Sequence, residues 1–161
     1  PEHNDQKLFE FLILEGAQAG LSWSTILNRR DGYRNAFSNF DVILVSKYTQ
    51  NHVKKLLKNK TIIRNKLKIN SAINNAKKFI EIQKQFGSFD EYLWGFVNHK
   101  PIQNKFKKYS DLPAHTAISE NLSNDLKKRG FTFVGPIICY ALMQAVGMVD
   151  DHTANCFKYS K

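Results

Sequence analysis

Apolar positions recur along this chain at intervals of three and four residues, and nowhere do they fall into the sustained alternation of a half-buried strand. The densest run, from Leu8 through Phe9, Phe11, Leu12 and Ile13 to Leu14, is apolar on most sides of a helix. The spacing predicts helices over 5–16, 22–37, 41–47, 49–58, 64–86, 88–98, 119–129, 136–147 and 149–157. Ser22, Thr49 and Ser88 are suited to N-caps, and Ser119 precedes the regular Leu122 and Leu126 spacing. Gly87 and Gly130 tolerate the left-handed conformation that ends helices. Only 98–118, with Pro101 and Pro113, reads as a long loop. The predicted fold is all-α, a compact helical bundle over 1–161, as one domain or two tightly packed lobes.

Composition agrees with one buried core: 161 residues are 42% hydrophobic and include 12 phenylalanines. No apolar run reaches the roughly 18 residues of a membrane span, so a cytoplasmic protein with no membrane partner is expected. Cys139 and Cys156 are too few for a disulfide framework. Charge changes the picture more. Lysine and arginine number 24 against 14 acidic residues, and the excess is uneven. Between Val42 and Ile80 there is no Asp or Glu, while Lys47, Lys54, Lys55, Lys58, Lys60, Arg64, Lys66, Lys68, Lys77 and Lys78 all carry positive charge. A field of one sign attracts and steers polyanions, and nucleic acid is the commonest of these. The plainer alternative is a solvated lysine face.

Three places carry candidate chemistry. Glu15 ends the most apolar helix with an ionisable group, and Gly16, Gly20, Leu21, Ser22 and Trp23 follow it through a turn into the next helix. A carboxylate and an indole are thereby delivered to a common cleft, although a solvated Glu and a core Trp would fit the same letters. The second place is Lys127-Lys128-Arg129-Gly130-Phe131-Thr132-Phe133-Val134-Gly135-Pro136, which joins a basic helix end to an apolar helix. Proline at the first helical position leaves free amides and a positive dipole end, which suit a DNA phosphate. The third is Asp150-Asp151-His152-Thr153-Ala154-Asn155-Cys156, where His152 and Cys156 stand four apart, on one face of the predicted helix. Two donors can begin a metal site, but structural zinc takes four. Coincidence would produce the same pair.

Together these segments, with Ile62-Ile63-Arg64 and Leu93-Trp94-Gly95-Phe96-Val97-Asn98, resemble the DNA-3-methyladenine glycosylase I family of the helix-hairpin-helix glycosylase superfamily. The resemblance runs over nearly the whole chain. It implies a monomeric base-excision repair enzyme that takes 3-methyladenine out of alkylated double-stranded DNA and releases the free base. It also implies that Glu15 contacts that base, that Trp23 stacks on it, and that Gly20 and Leu21 lie on the turn nearest the lesion. Lys127, Lys128, Arg129 and Gly135 would bind DNA. His152 and Cys156 would be half of a structural zinc site; the other half, a Cys and a His, belongs to a family segment ahead of the position of Pro1, expected to be absent from this chain. Asp150 lies near the superfamily's sugar-stabilising Asp, and its reading is divided between that role and helix capping. Trp94 is assigned to the core. No lysine lies between Gly130 and Phe157 to form a Schiff base, so a monofunctional enzyme is expected. The alternatives are a broader alkyl-purine glycosylase and a non-catalytic helical DNA-binding module. An adenine-mismatch enzyme would bring an iron–sulfur cluster, which two cysteines cannot hold.

Overall fold

Helix α1 (Asp5–Gln18) runs through the middle of the molecule, which explains why its sequence is apolar on nearly every side. Asn4 caps it by accepting the Lys7 amide, and its sides pack on α2 (Trp23–Leu27), α6 (Lys66–Phe86), α7 (Phe89–Gly95) and α9 (Pro136–Ala145). This computed structural model describes residues 1–153 and Cys156. Between α2 and α6 lie α3 (Arg30–Ala36), a short turn at Ser38–Phe40, α4 (Val42–Ser46) and α5 (Gln50–Lys58), with α4 and α5 packed on α6. On the other side α8 (Ala117–Lys128) pairs with α9. One continuous core joins the two groups through α1 and α6, with Phe79 stacked on Phe89 and met edge-on by Phe9 in its centre. Trp94 is buried there, its indole N–H donating to the Glu2 carbonyl. Among the described residues no helix is long and apolar enough to cross a membrane.

The helical bundle predicted from sequence is what forms, with four corrections. The helix expected over 22–37 is broken at Asn28 and Arg29 into α2 and α3. The break turns Tyr33 inward to stack on Phe37, and sets Gly32 so close to Thr61 that a Cβ would meet its carbonyl at 2.5 Å. Helix α8 begins earlier than Ser119, because Thr116 and Ser119 accept each other's backbone N–H in a reciprocal cap. The long loop contains two residues of strand, β1 (Ile102–Gln103), paired in parallel with β2 (Val149–Asp150). That pairing replaces the start of the helix expected over 149–157; residues 154, 155 and 157 lie outside the described residues. The Asp150 carboxylate accepts the His152 N–H in a local turn that competes with a helix. Asp151 is held by Asn104, Tyr140 and Gln144 at 2.6 to 2.7 Å, which anchors the segment against α9 and the loop.

Candidate active site and nucleic-acid interface

Two carboxylates are buried on α1, and they are treated differently. Glu10 receives Arg30 Nε at 2.6 Å and Arg34 Nε at 2.9 Å, so its charge is neutralised twice. Glu15, one turn and a half further on, is only 4% exposed, and no described residue donates to it. Burial alone pushes its carboxyl up to about 7. An unpaired buried carboxylate is expensive to keep, and its placement fits a cationic visitor with hydrogen-bond donors. Trp23, the first residue of α2, is half-buried against the core. Between the two, the chain leaves α1 through Ala19 and reverses at Gly20, whose φ of 77° favours glycine. The Leu21 N–H returns to the Gln18 carbonyl at 2.7 Å, and its side chain stands 38% exposed at the tip. Ser22 caps α2 as predicted, accepting the Thr25 N–H.

The hairpin between α8 and α9 is closed by a Schellman motif: Phe131 N–H reaches Leu126 O, and Gly130 N–H reaches Lys127 O. Thr132 is gripped by α6, since Asn75 donates to its carbonyl and accepts its N–H, both at 2.9 Å. Phe133 then takes a left-handed φ of 55°, a strained state for an aromatic residue that the surrounding bonds hold in place. Val134 O is taken by Ser123 Oγ at 2.6 Å. Gly135 needs no glycine for its own φ of −63°, and a Cβ there would meet nothing in the protein. Bare backbone facing outward at a helix N-terminus suits the close approach of an external phosphate.

Lys127 and Lys128 are exposed beside this turn. Arg129 is not available in the same way. Its Nε donates to Asp125 at 2.6 Å, its Nη1 to Gln85 at 2.7 Å, and its guanidinium lies over Phe86 and Tyr92. It holds α8 against α6 and α7 and has little left for DNA.

At the far end of α9, His152 Nδ1 and Cys156 Sγ are 3.6 Å apart. The Cys156 N–H donates to Thr153 O at 2.8 Å; a shared helical face was expected, and residues 154 and 155 lie outside the described residues. The separation suits a thiol–imidazole hydrogen bond, and equally two corners of a zinc tetrahedron, whose N and S ligands lie about 3.6 Å apart. Among the described residues no third His, Cys, Asp or Glu joins them to complete a metal-holding group. Asp150, His152 and Cys156 line a cavity of about 720 Å³ together with Tyr109 and Gln144; Glu15 and Trp23 do not line it. Asp150 therefore caps a turn, not a helix. Sequence reasoning missed Lys68, Ser71 and Asn75, the polar residues of α6 that touch both the turn after α1 and the hairpin.

The chain matches the methyladenine glycosylase family over residues 1–159. It is 44% identical over 156 residues to a DNA-3-methyladenine glycosylase of Haemophilus influenzae, covering 97% of this chain and 84% of that one. To DNA-3-methyladenine glycosylase 1 of Escherichia coli it is 43% identical over 159 residues, covering 99% and 85%. The fold superposes on a crystal structure of 3-methyladenine DNA glycosylase I with a TM-score of 0.97 at 42% identity, covering 99% of this chain and 88% of that one. It superposes equally on a variant of such an enzyme in complex with 3-methyladenine, with a TM-score of 0.97 at 33% identity over 100% of this chain and 87% of that one. With its helical bundle, its hairpin and its buried carboxylate, the chain belongs to the methyladenine glycosylase family.

Proposed function

We propose that this protein removes 3-methyladenine from alkylated double-stranded DNA by hydrolysing the N-glycosidic bond, leaving an abasic site and the free base. The observation that carries the reading is Glu15, buried and unpaired at the end of an apolar helix while Glu10 on the same helix has two arginines.

Alkylation at N3 makes the base cationic, so it is a good leaving group before any enzyme acts. The C1′–N9 bond breaks with its electron pair going to the base, which leaves neutral; water adds its hydroxyl to C1′ and its remaining proton passes to solvent. The protein's task is to extract the nucleotide and to prefer the cation over normal adenine. An ionised Glu15 does both, accepting a hydrogen bond from the exocyclic amine and stabilising positive charge in a poorly solvated place. Trp23 adds stacking and cation–π attraction. Gly20 and Leu21 meet the duplex at the lesion, and Lys127, Lys128 and the Gly135 end of α9 hold the backbone. Asp150 is assigned to its local turn, with excision by Asp150→Asn expected to stay within about twofold of wild type.

His152 and Cys156 would supply two of the four ligands of a structural zinc, which would hold those two positions together. Cadmium added to the protein should then give a thiolate charge-transfer band that is absent from Cys156→Ser. The decisive test of the function is incubation with methylated duplex DNA and identification of the released base. Release of 3-methyladenine is expected, and borohydride should trap no covalent adduct. Binding of DNA with no base released would favour a non-catalytic module instead.

A further inference from the structure

Helix α1 ends where the turn nearest the lesion begins, and it has no cap of its own there. The last carbonyls of a helix lack intrahelical partners. No cation stands in the last turn of α1, and Ala19 (φ −45°, ψ 118°) does not adopt the left-handed cap conformation. The missing partner comes from α6. Lys68 Nζ donates to Ala17 O at 2.8 Å and to Ala19 O at 2.7 Å, fastening the helix end on both sides of Gln18. Its stem passes Ile13, Ala17 and Ala72, with small cavities of about 10 Å³ on either side. Burial lowers its pKa, yet the ammonium faces the negative end of the α1 dipole.

The same face of α6 holds the hairpin. Ser71 and Asn75, three and seven residues beyond Lys68, both donate to the Thr132 carbonyl. The hairpin also packs closely on α1 one turn before Gly20, since a Cβ on Gly16 would lie 3.4 Å from that of Phe133. One strip of one helix therefore sets the distance between the Gly20–Ser22 turn and the hairpin.

We propose that Lys68 is a positioning residue for base extraction, clamping the turn that carries Leu21 so that it and the hairpin amides engage one duplex in register. The proposal rests on the glycosylase reading above. Lys68 bonds the backbone at Ala17 and Ala19, which lie in the chain between the two base-reading groups, and neither group is among its partners: Glu15 sits on α1 and Trp23 on α2. Loss of the clamp should consequently damage work on the duplex more than recognition of the base.

Lys68→Met keeps the stem and removes the ammonium. Single-turnover excision from methylated duplex is expected to fall about 20-fold, as a small misplacement of a positioning element can cost. Excision from methylated single strands should fall less than about threefold, and free 3-methyladenine should quench tryptophan fluorescence with an affinity within about twofold of wild type. An equal fall on both substrates, or no fall, overturns the proposal, because a purely structural lysine would not move their ratio. Lys68→Arg, with a wide planar fork where a compact ammonium fits, is measured alongside. Should Lys68→Met not fold, the arginine variant's duplex-to-single-strand ratio decides, and a wild-type ratio overturns the clamp. Wild-type protein that releases no 3-methyladenine from either substrate overturns the glycosylase reading and the clamp with it; active wild type with an unchanged variant ratio overturns the clamp alone.

Discussion

Glu15 shows how much one side chain can imply when its partner is missing. Its carboxyl is raised to about 7 by burial, so the group exchanges its proton near neutrality. Two outcomes follow from the sign of that shift. For activity, the proposed role requires the ionised form to receive the cationic base, so kcat/KM on alkylated DNA should rise as pH climbs through about 7 and then level off. Glu15→Gln should flatten that limb and lower the rate by at least about tenfold, the worth of a hydrogen bond to a charged group. For stability, the folded carboxyl binds its proton more tightly than the unfolded one. Its contribution is fully present below the unfolded value and is lost as pH rises through the folded value near 7. Above that, keeping the charge buried costs up to about 3 kcal/mol. Glu15→Gln should therefore be more stable than wild type in urea at pH 8, with the gain shrinking towards zero near pH 4. A variant no more stable at pH 8 would mean that the carboxylate is solvated or paired in solution. Glu15 could be found in the sequence because an ionisable group stood out against an apolar helix. Lys68 could not, because one lysine among ten cations without an intervening acid looks like its solvated neighbours, and only the fold turns it inward. The pairing of Arg129 was hidden for the same reason in reverse: it sits in a basic run, and Asp125, four residues before it, is its partner.

At the scale of elements, helix starts were legible wherever a side chain caps the backbone locally, as at Ser22 and Ser88. The stops at Gly87 and Gly130 were legible from their left-handed φ preference. What stayed hidden was decided by distant partners. The β1–β2 pair joins residues nearly fifty positions apart, and its two-residue strands leave no alternation to read. The hairpin makes the same point, since its shape depends on α6. Asn75 is buried and spends both ends of its amide on the Thr132 backbone, while Phe133 beside it is strained. Asn75→Leu fills similar space but leaves the Thr132 N–H without a partner and its carbonyl with Ser71 alone. The expected loss is about 2 kcal/mol, a fall in Tm of roughly 4–8 °C for a chain of this size. Released from its grip, Phe133 should relax out of the left-handed region, and amide exchange at 131–135 should speed up. A protein as stable as wild type would show that Ser71 and the Schellman turn suffice to hold the hairpin.

At the scale of the whole molecule, the positive excess behind the net charge of +10 is concentrated between Lys47 and Lys78, on α5, the loop after it and α6. Lys68 is turned inward and Lys78 pairs with Glu81, while the other cations of that stretch stand exposed. Helix α5 is the clearest case, burying Val53 and Leu56 and presenting Lys54, Lys55 and Lys58 to solvent. Steering by such a field acts through solvent and is screened within about 8–10 Å at physiological salt, whereas a phosphate contact acts in the bound complex. The two are separable by kinetics. Replacing Lys54, Lys55 and Lys58 by Glu lowers the net charge from +10 to +4, and should slow association with DNA by about tenfold at low salt, the slowing fading as salt rises. Replacing Lys127 and Lys128, beside the hairpin amides, should instead speed dissociation, because the complex itself loses contacts. Stopped-flow association and dissociation rates, measured for both variants across a salt series, distinguish the two roles. If the α5 variant dissociates faster while associating normally, α5 is part of the DNA footprint and the field is a binding surface, not a guide.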